Sequence, residues 1–213
     1  MRPSTLSPVL LFVVLFRLVP SHAAPVSTFD TDTEGWLAAG AATFEWRNTD
    51  GNPPGFLYID NGEAQGAILT APVAFRGNLS AYNGGTISFD GKMLGTGGSF
   101  YQATVDYGVI TIQGGGTSAF LDLAPGGATA STTSWTTFSA PLTAAAWGKT
   151  DVQWAQILAS VSNITLSVEA LFGNEIQGID NIRITAVPAP ATVWLLGTAL
   201  AGVVAYRRHR RTR

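Results

Sequence analysis

The middle of the chain is written in short alternations of apolar and polar residues. Residues 43–47 put Phe44 and Trp46 on one side and Thr43, Glu45 and Arg47 on the other. Similar short runs recur at 56–60, 67–70, 86–90, 109–113, 119–123, 135–140, 164–170 and 179–185. Successive side chains of a strand point to opposite faces, so each run predicts a strand with one buried side. Turn residues stand between the runs, at 50–55, Asn83-Gly84-Gly85, Gly114-Gly115-Gly116 and Pro125-Gly126-Gly127. Glycine, proline, asparagine and aspartate take up the backbone angles that reversals need. Short strands at this spacing predict an all-β fold, an antiparallel sandwich or barrel. One segment changes period. Thr150-Asp151-Val152-Gln153 is a capping box, and Trp154, Ile157, Leu158 and Val161 then follow at i, i+3, i+4 and i+7. A short amphipathic helix is expected there, packed on one end of the sandwich.

The two ends follow neither pattern. Arg2 precedes an apolar run of eleven at 9–19, interrupted by Arg17, and Ser21-His22-Ala23 places small residues at −3 and −1. This predicts a signal peptide over 1–23, cut after Ala23. The run is too short to span a bilayer, which takes about 20 apolar residues. At the other end, Pro188 and Pro190 precede sixteen uncharged residues at 191–206, then Arg207, Arg208, Arg210, Arg211 and Arg213. Sixteen residues reach about 24 Å as a helix, close to a hydrocarbon core of about 30 Å. The arginines are expected to hold that end in the cytoplasm and the body outside.

Val187-Pro188-Ala189-Pro190, the apolar stretch and the arginines together resemble a PEP-CTERM sorting tail over 187–213. Ala189 stands where the commonest form of that motif has glutamate. The resemblance implies export in a Gram-negative bacterium, recognition by an exosortase, and a membrane contact through the tail, transient or lasting.

Removing both ends changes the charge. The whole chain carries −2, with 12 basic and 14 acidic residues. All the acidic residues lie in 24–186, which keeps only Arg47, Arg76, Lys92, Lys149 and Arg183 as basic ones. The body is therefore strongly acidic and unsuited to nucleic acid. It has no cysteine, and the only histidines, His22 and His209, lie in the terminal segments. That excludes disulfides, thiolate metal sites, cysteine catalysis and a Ser-His-Asp triad from the body.

Residues 24–186 also resemble the laminin B (laminin type IV) domain. The order that carries the resemblance is Trp46, GNPPGFLYIDN at 51–61, ILTAPVAFRGNLSAYNGGTISFDGKML at 68–94, VITIQGGG at 109–116, WTTFSAPL at 135–142, Trp147 and IQGIDNIRI at 176–184. The resemblance implies a jelly-roll β-sandwich like those of carbohydrate-binding modules and an extracellular, non-catalytic role. It makes Trp46, Trp135 and Trp147 framework residues. The stretch Phe29-Asp30 to Trp36 resembles the first strand of jelly rolls that hold a structural calcium. Asp30, Asp32, Glu34 and Asp180 are the oxygen donors expected for such an ion, which takes carboxylates. Asp180 otherwise pairs with Arg183 or caps a turn. Strict alternation puts Asp180 and Ile182 on one face of their strand.

Three functions are compatible with these residues. The first is an exported structural or interaction protein of the cell surface or matrix, meeting a polysaccharide or a matrix protein. The second is a carbohydrate-binding module, whose sugars stack on exposed aromatic faces; Tyr101 and Tyr107 are the favoured platforms. The third is a glycosidase acting through a carboxylate pair such as Asp60/Glu63 or Glu169/Glu175. Signal cleavage is directly checkable: N-terminal sequencing of the exported protein is expected to read Ala24-Pro25-Val26.

Overall fold

A computed structural model describes residues 24–62, 66–96, 102–103, 106–125 and 133–187. The signal segment, Glu63, Tyr101 and residues 188–213, with Pro188, Ala189 and Pro190, lie outside them. Two antiparallel sheets enclose a common core. The first contains β1 (Val26–Ser27), β3 (Thr43–Arg47), β4 (Phe56–Asp60), β6 (Thr86–Thr96), β10 (Thr136–Pro141) and β13 (Glu175–Thr185). Its order is β10-β6-β13-β4-β3, with β1 added to β13. The second contains β2 (Leu37–Ala39), β5 (Ile68–Thr70), β8 (Val109–Gly114), β9 (Thr117–Asp122) and β11 (Val161–Ser167), in the order β2-β5-β11-β8-β9. A two-stranded ribbon joins β7 (Gln102–Ala103) to β12 (Leu171–Phe172). The architecture is the expected jelly-roll-like sandwich.

Alternation fixes which face is buried. Leu57, Ile59, Ile87, Phe89, Phe138 and Ile179 of the first sheet meet Leu69, Ile110, Ile112, Ile164 and Leu166 of the second in one core. Full burial of an aliphatic or aromatic side chain stabilises the fold by about 1.5–3 kcal/mol. Tyr107 belongs to this core: it is fully buried, edge-on to Phe89 at 6.2 Å and to Phe138 at 5.7 Å between centroids. The expectation that it stacks on sugar is corrected. Its apolar ring is worth more inside the sandwich than on a loop.

The helix forms as α1 (Asp151–Ala159). Thr150 accepts from the Gln153 backbone N–H at 3.3 Å, and Gln153 Oε1 accepts from the Thr150 backbone N–H at 3.1 Å. Both halves of the capping box are therefore present. Trp154, Ile157 and Leu158 are buried, and Trp154 stacks on Trp147 with centroids 5.4 Å apart. Val161 is not the next helical position. The helix stops at Ala159, and Val161 opens β11 with paired bonds to Gly77 (2.8 Å from Val161 N to Gly77 O, 2.7 Å in return). A β-branched residue suits that bridge better than a helix end.

The strand bounds show where alternation carries and where it fails. β3 and β4 coincide with the predicted runs. β6 continues to Thr96, past the Gly91 and Gly95 that interrupt the pattern. β1 and β2 are too short for a period to be read. Replacing Thr150 by alanine removes the helix cap and is expected to cost about 1 kcal/mol. For a chain of this size that lowers Tm by about 2–4 °C, measurable by calorimetry.

Candidate glycan-binding face

Register defines the outer surface of the first sheet. Phe138 faces Phe89 in the core, so the next pair, Thr137 and Asp90, points outward. Asp90 is opposite Asp180, and Lys92 is opposite Gly178. Gly178 is opposite Tyr58, and Tyr58 is opposite Glu45. One row therefore crosses four strands as Lys92, Gly178, Tyr58 and Glu45. Trp135 stands just before β10, on the Lys92 side.

Gly178 is the low point of that row, and Trp135 occupies it. A Cβ on Gly178 would lie 2.9 Å from Trp135 Cη2 and 3.3 Å from Phe56 Cδ2. Trp135 meets Phe56 edge to face with centroids 5.6 Å apart, and its indole N–H donates to Asp50 O at 2.9 Å. The Lys92 ammonium sits 5.7 Å from its ring centroid. Trp135 is half buried, so it packs as a framework residue while part of it stays accessible; Trp147 is buried, and Trp46 is half buried with its N–H on Phe29 O at 2.6 Å. Further along, the Arg47 guanidinium lies 3.3 Å from the Tyr58 ring centroid and pairs with Glu45 at 2.6 Å. The face thus combines a pinned aromatic ring with hydrogen-bonding side chains on both sides. The motif WTTFSAPL signalled the strand; only register and Gly178 reveal that its tryptophan points outward.

The loop at 50–55 is tied to the same face by buried carboxylates. Asp180 is fully buried; Oδ2 accepts from Asn52 N at 2.7 Å and Oδ1 from Asn181 N at 2.6 Å. Asp90 accepts from Thr137 Oγ1 at 2.6 Å, Asn181 Nδ2 at 2.9 Å and Asn52 Nδ2 at 3.2 Å. Asn181 Nδ2 also donates to Asn52 O. Arg183 reaches Asp90 at 3.9 Å and forms no ion pair with Asp180. Asn181 has φ of 50°, and the β6–β13 register shifts between Asp180 and Arg183. That bulge corrects strict alternation: Asp180 lies outside, whereas Ile182 turns into the core with Ile179.

The four expected calcium ligands do not form a set. Glu34 Oε1 accepts from Thr28 N at 3.1 Å and Phe29 N at 2.6 Å. Asp32 Oδ1 accepts from Glu34 N at 2.6 Å, and Asp30 Oδ2 from Thr28 Oγ1 at 2.9 Å. These carboxylates close their own loop, and Asp180 is turned to Asn52. Among the described residues, no three Asp, Glu, His or Cys side chains group as a metal site. The residues present do not fit the ion the resemblance implies at that place. Of the carboxylate pairs, Asp60 caps Gly62 N at 2.9 Å, whereas the half-buried Glu169 adjoins Ala170, whose N–H donates to the buried Glu175 at 2.8 Å.

Solved structures similar to this chain at a TM-score of 0.50 support the class of fold. The family 30 carbohydrate-binding module of a cellulosomal cellulase from Clostridium thermocellum is similar at 14% identity and a TM-score of 0.50, covering 78% of this chain and 99% of that one. An exo-beta-agarase is similar at 15% and 0.50, covering 76% of this chain and 26% of that one. The L4b domain of human laminin alpha-2 is similar at 13% and 0.46, covering 65% and 84%. No curated protein matches by sequence. The sorting tail is matched separately: residues 186–211 fit the PEP-CTERM protein-sorting motif. The chain is thus a jelly-roll-like sandwich followed by that motif.

Burial pushes the Asp180 carboxyl up to about 6; hydrogen bonds from Asn52 and Asn181 oppose this, and Asp90 and Asp30 add to it. The folded state therefore holds this proton more tightly than the unfolded chain, whose carboxyl titrates near 3.8. The contribution is complete below about pH 4 and is lost as pH rises through 6. It amounts to about 3 kcal/mol. Asp180→Asn is expected to flatten this part of the stability profile when denaturant midpoints are compared from pH 4 to 7 in EDTA.

Proposed function

We propose that this is an exported, non-catalytic glycan-binding protein of the bacterial surface or matrix. Its signal segment spans 1–23, its binding sandwich 24–186, and its exosortase-sorted, membrane-contacting tail 187–213. The observation that carries the reading is Trp135, held half buried across Gly178 on the outer sheet face between Lys92 and Phe56. A sugar ring offers an apolar C–H face to an aromatic ring and hydroxyls to its surroundings. Trp135 supplies the first contact. Lys92, Glu45 and Arg47 supply donors and acceptors for the second, at positions fixed by the sheet. The ring is pinned by Asp50 and Phe56 before any ligand arrives, so little side-chain entropy is lost on binding. The same fold, in the cellulosomal cellulase, is a carbohydrate-binding module, and the sorting motif supports a place outside the cell.

The test is a glycan array followed by calorimetry on the polysaccharide that binds. Trp135→Ala is expected to weaken binding at least tenfold, as central tryptophans do when they anchor an interface. Lys92→Ala, at an exposed rim, is expected to weaken it less, with Tm unchanged. Wild-type binding that survives Trp135→Ala would sink the assignment of this face. A blank array from folded protein would favour a scaffold that meets matrix proteins instead.

A further inference from the structure

A second polar cluster lies on the inner side of the first sheet, where β13 begins. Glu175 is fully buried. Its Oε1 accepts from Asn61 Nδ2 and from Ala170 N, both at 2.8 Å, and its Oε2 from Gln177 Nε2 at 3.3 Å. Among the described residues, no lysine or arginine forms an ion pair with it. The charges that act on it are of its own sign. Glu169 disfavours its ionisation, and Asp106 does the same to Glu169. A Cβ on Gly66 would lie 2.2 Å from Glu169 Oε2, so glycine there leaves that carboxylate its room.

Asn61 gives an independent sign. It is 4% exposed, and its side-chain carbonyl oxygen has no hydrogen-bond partner. Its Nδ2 donates to Glu175, which places the amide beside that carboxylate. Buried polar groups are nearly always satisfied, and an exception asks for an explanation. A donor or a cation is required at this point.

We propose that Glu175, Glu169 and the Asn61 side-chain carbonyl bind a calcium ion. Carboxylates and amide carbonyls are the hard oxygen donors that calcium takes, with main-chain carbonyls and water completing six to eight ligands. One ion would satisfy Asn61 and compensate two like charges, which burial otherwise makes unfavourable. Burial raises the Glu175 carboxyl to about 7 and raises Glu169 as well. Calcium therefore competes with protons, and its affinity falls in acid. This site is separate from the acidic loop at 30–34, where Asp32 and Glu34 cap backbone amides and Asp30 accepts from the Thr28 hydroxyl.

The experiment uses the full chain, stripped with EDTA and titrated with calcium chloride at pH 7.5. Tm is expected to rise saturably, by about 5–10 °C at a hundredfold excess over Kd. The rise is expected to shrink at pH 5.5. Glu175→Gln, and Glu169→Gln at the half-buried ligand, are each expected to raise the calcium Kd at least tenfold, and Asp180→Asn to leave it unchanged. No Tm shift at about 10 mM calcium, beyond the range of extracellular sites, overturns the proposal. A shift that persists in both glutamate variants and vanishes in Asp180→Asn overturns it too, because the ion would then sit on the other face.

Discussion

Strand β13 is hydrogen-bonded along both edges and covered on both faces. It pairs with β6 over most of its length, with β4 at Ile176–Ile179 and with β1 at Ile182 and Arg183. Its buried polar side chains, Glu175, Gln177, Asp180 and Asn181, are cut off from water and have to be met inside the protein. That requirement organises both ends of the sandwich. Asp180 is met by the loop at 50–55, which is why that loop lies down on the sheet and gives its Asp50 carbonyl to Trp135. Glu175 is met by Asn61, Ala170 and Gln177, which draws the ends of β4 and β12 towards β13. Between the two, Gly178 carries no side chain, and the gap receives the indole ring.

The bulge at Asn181 reconciles two demands that strict alternation sets against each other. Asp180 has to reach the loop outside, while Ile179, Ile182 and Ile184 have to reach the core. An even spacing from 180 to 182 would put the aspartate and an isoleucine on the same side. Inserting one residue with left-handed φ shifts the phase, and the isoleucines stay inside. The same residue donates its side-chain amide to Asp90 and Asn52, so the irregular residue also ties the loop to β6. Asparagine suits this position because it tolerates positive φ better than other non-glycine residues.

Much of this fold was legible in the sequence because its causes are local. The alternation of Phe44 and Trp46 defines β3, and the Thr150–Gln153 spacing defines the start of α1. Features set by pairing were not legible. Tyr107 reads as a platform because it flanks the stretch least covered by the laminin B resemblance, yet it is walled in by Phe89 and Phe138, 18 and 31 residues away in the chain and paired across β6 and β10. Trp135 precedes a strand whose inner positions are Phe138 and Ala140. Which way it points follows from the register with β6, and that register exists only after the sheet forms. The carboxylates of 30–34 read as metal ligands from the resemblance of that stretch to calcium-holding jelly rolls; the turn they form directs Asp32 and Glu34 at backbone N–H groups and Asp30 at the Thr28 hydroxyl.

The strand that carries Gly178 is also the one from which the chain leaves the sandwich. The sorting motif begins at residue 186, directly after β13 ends at Thr185. No spacer separates a hydrogen-bonded strand from the matched segment. The end of that strand is secured by Ile184 N on Pro25 O at 2.8 Å and by Thr185 Oγ1 against Thr86 Oγ1 at 2.6 Å. The last strand is thus secured by residues of the sandwich itself, Pro25 and Thr86, up to the first residue of the matched segment.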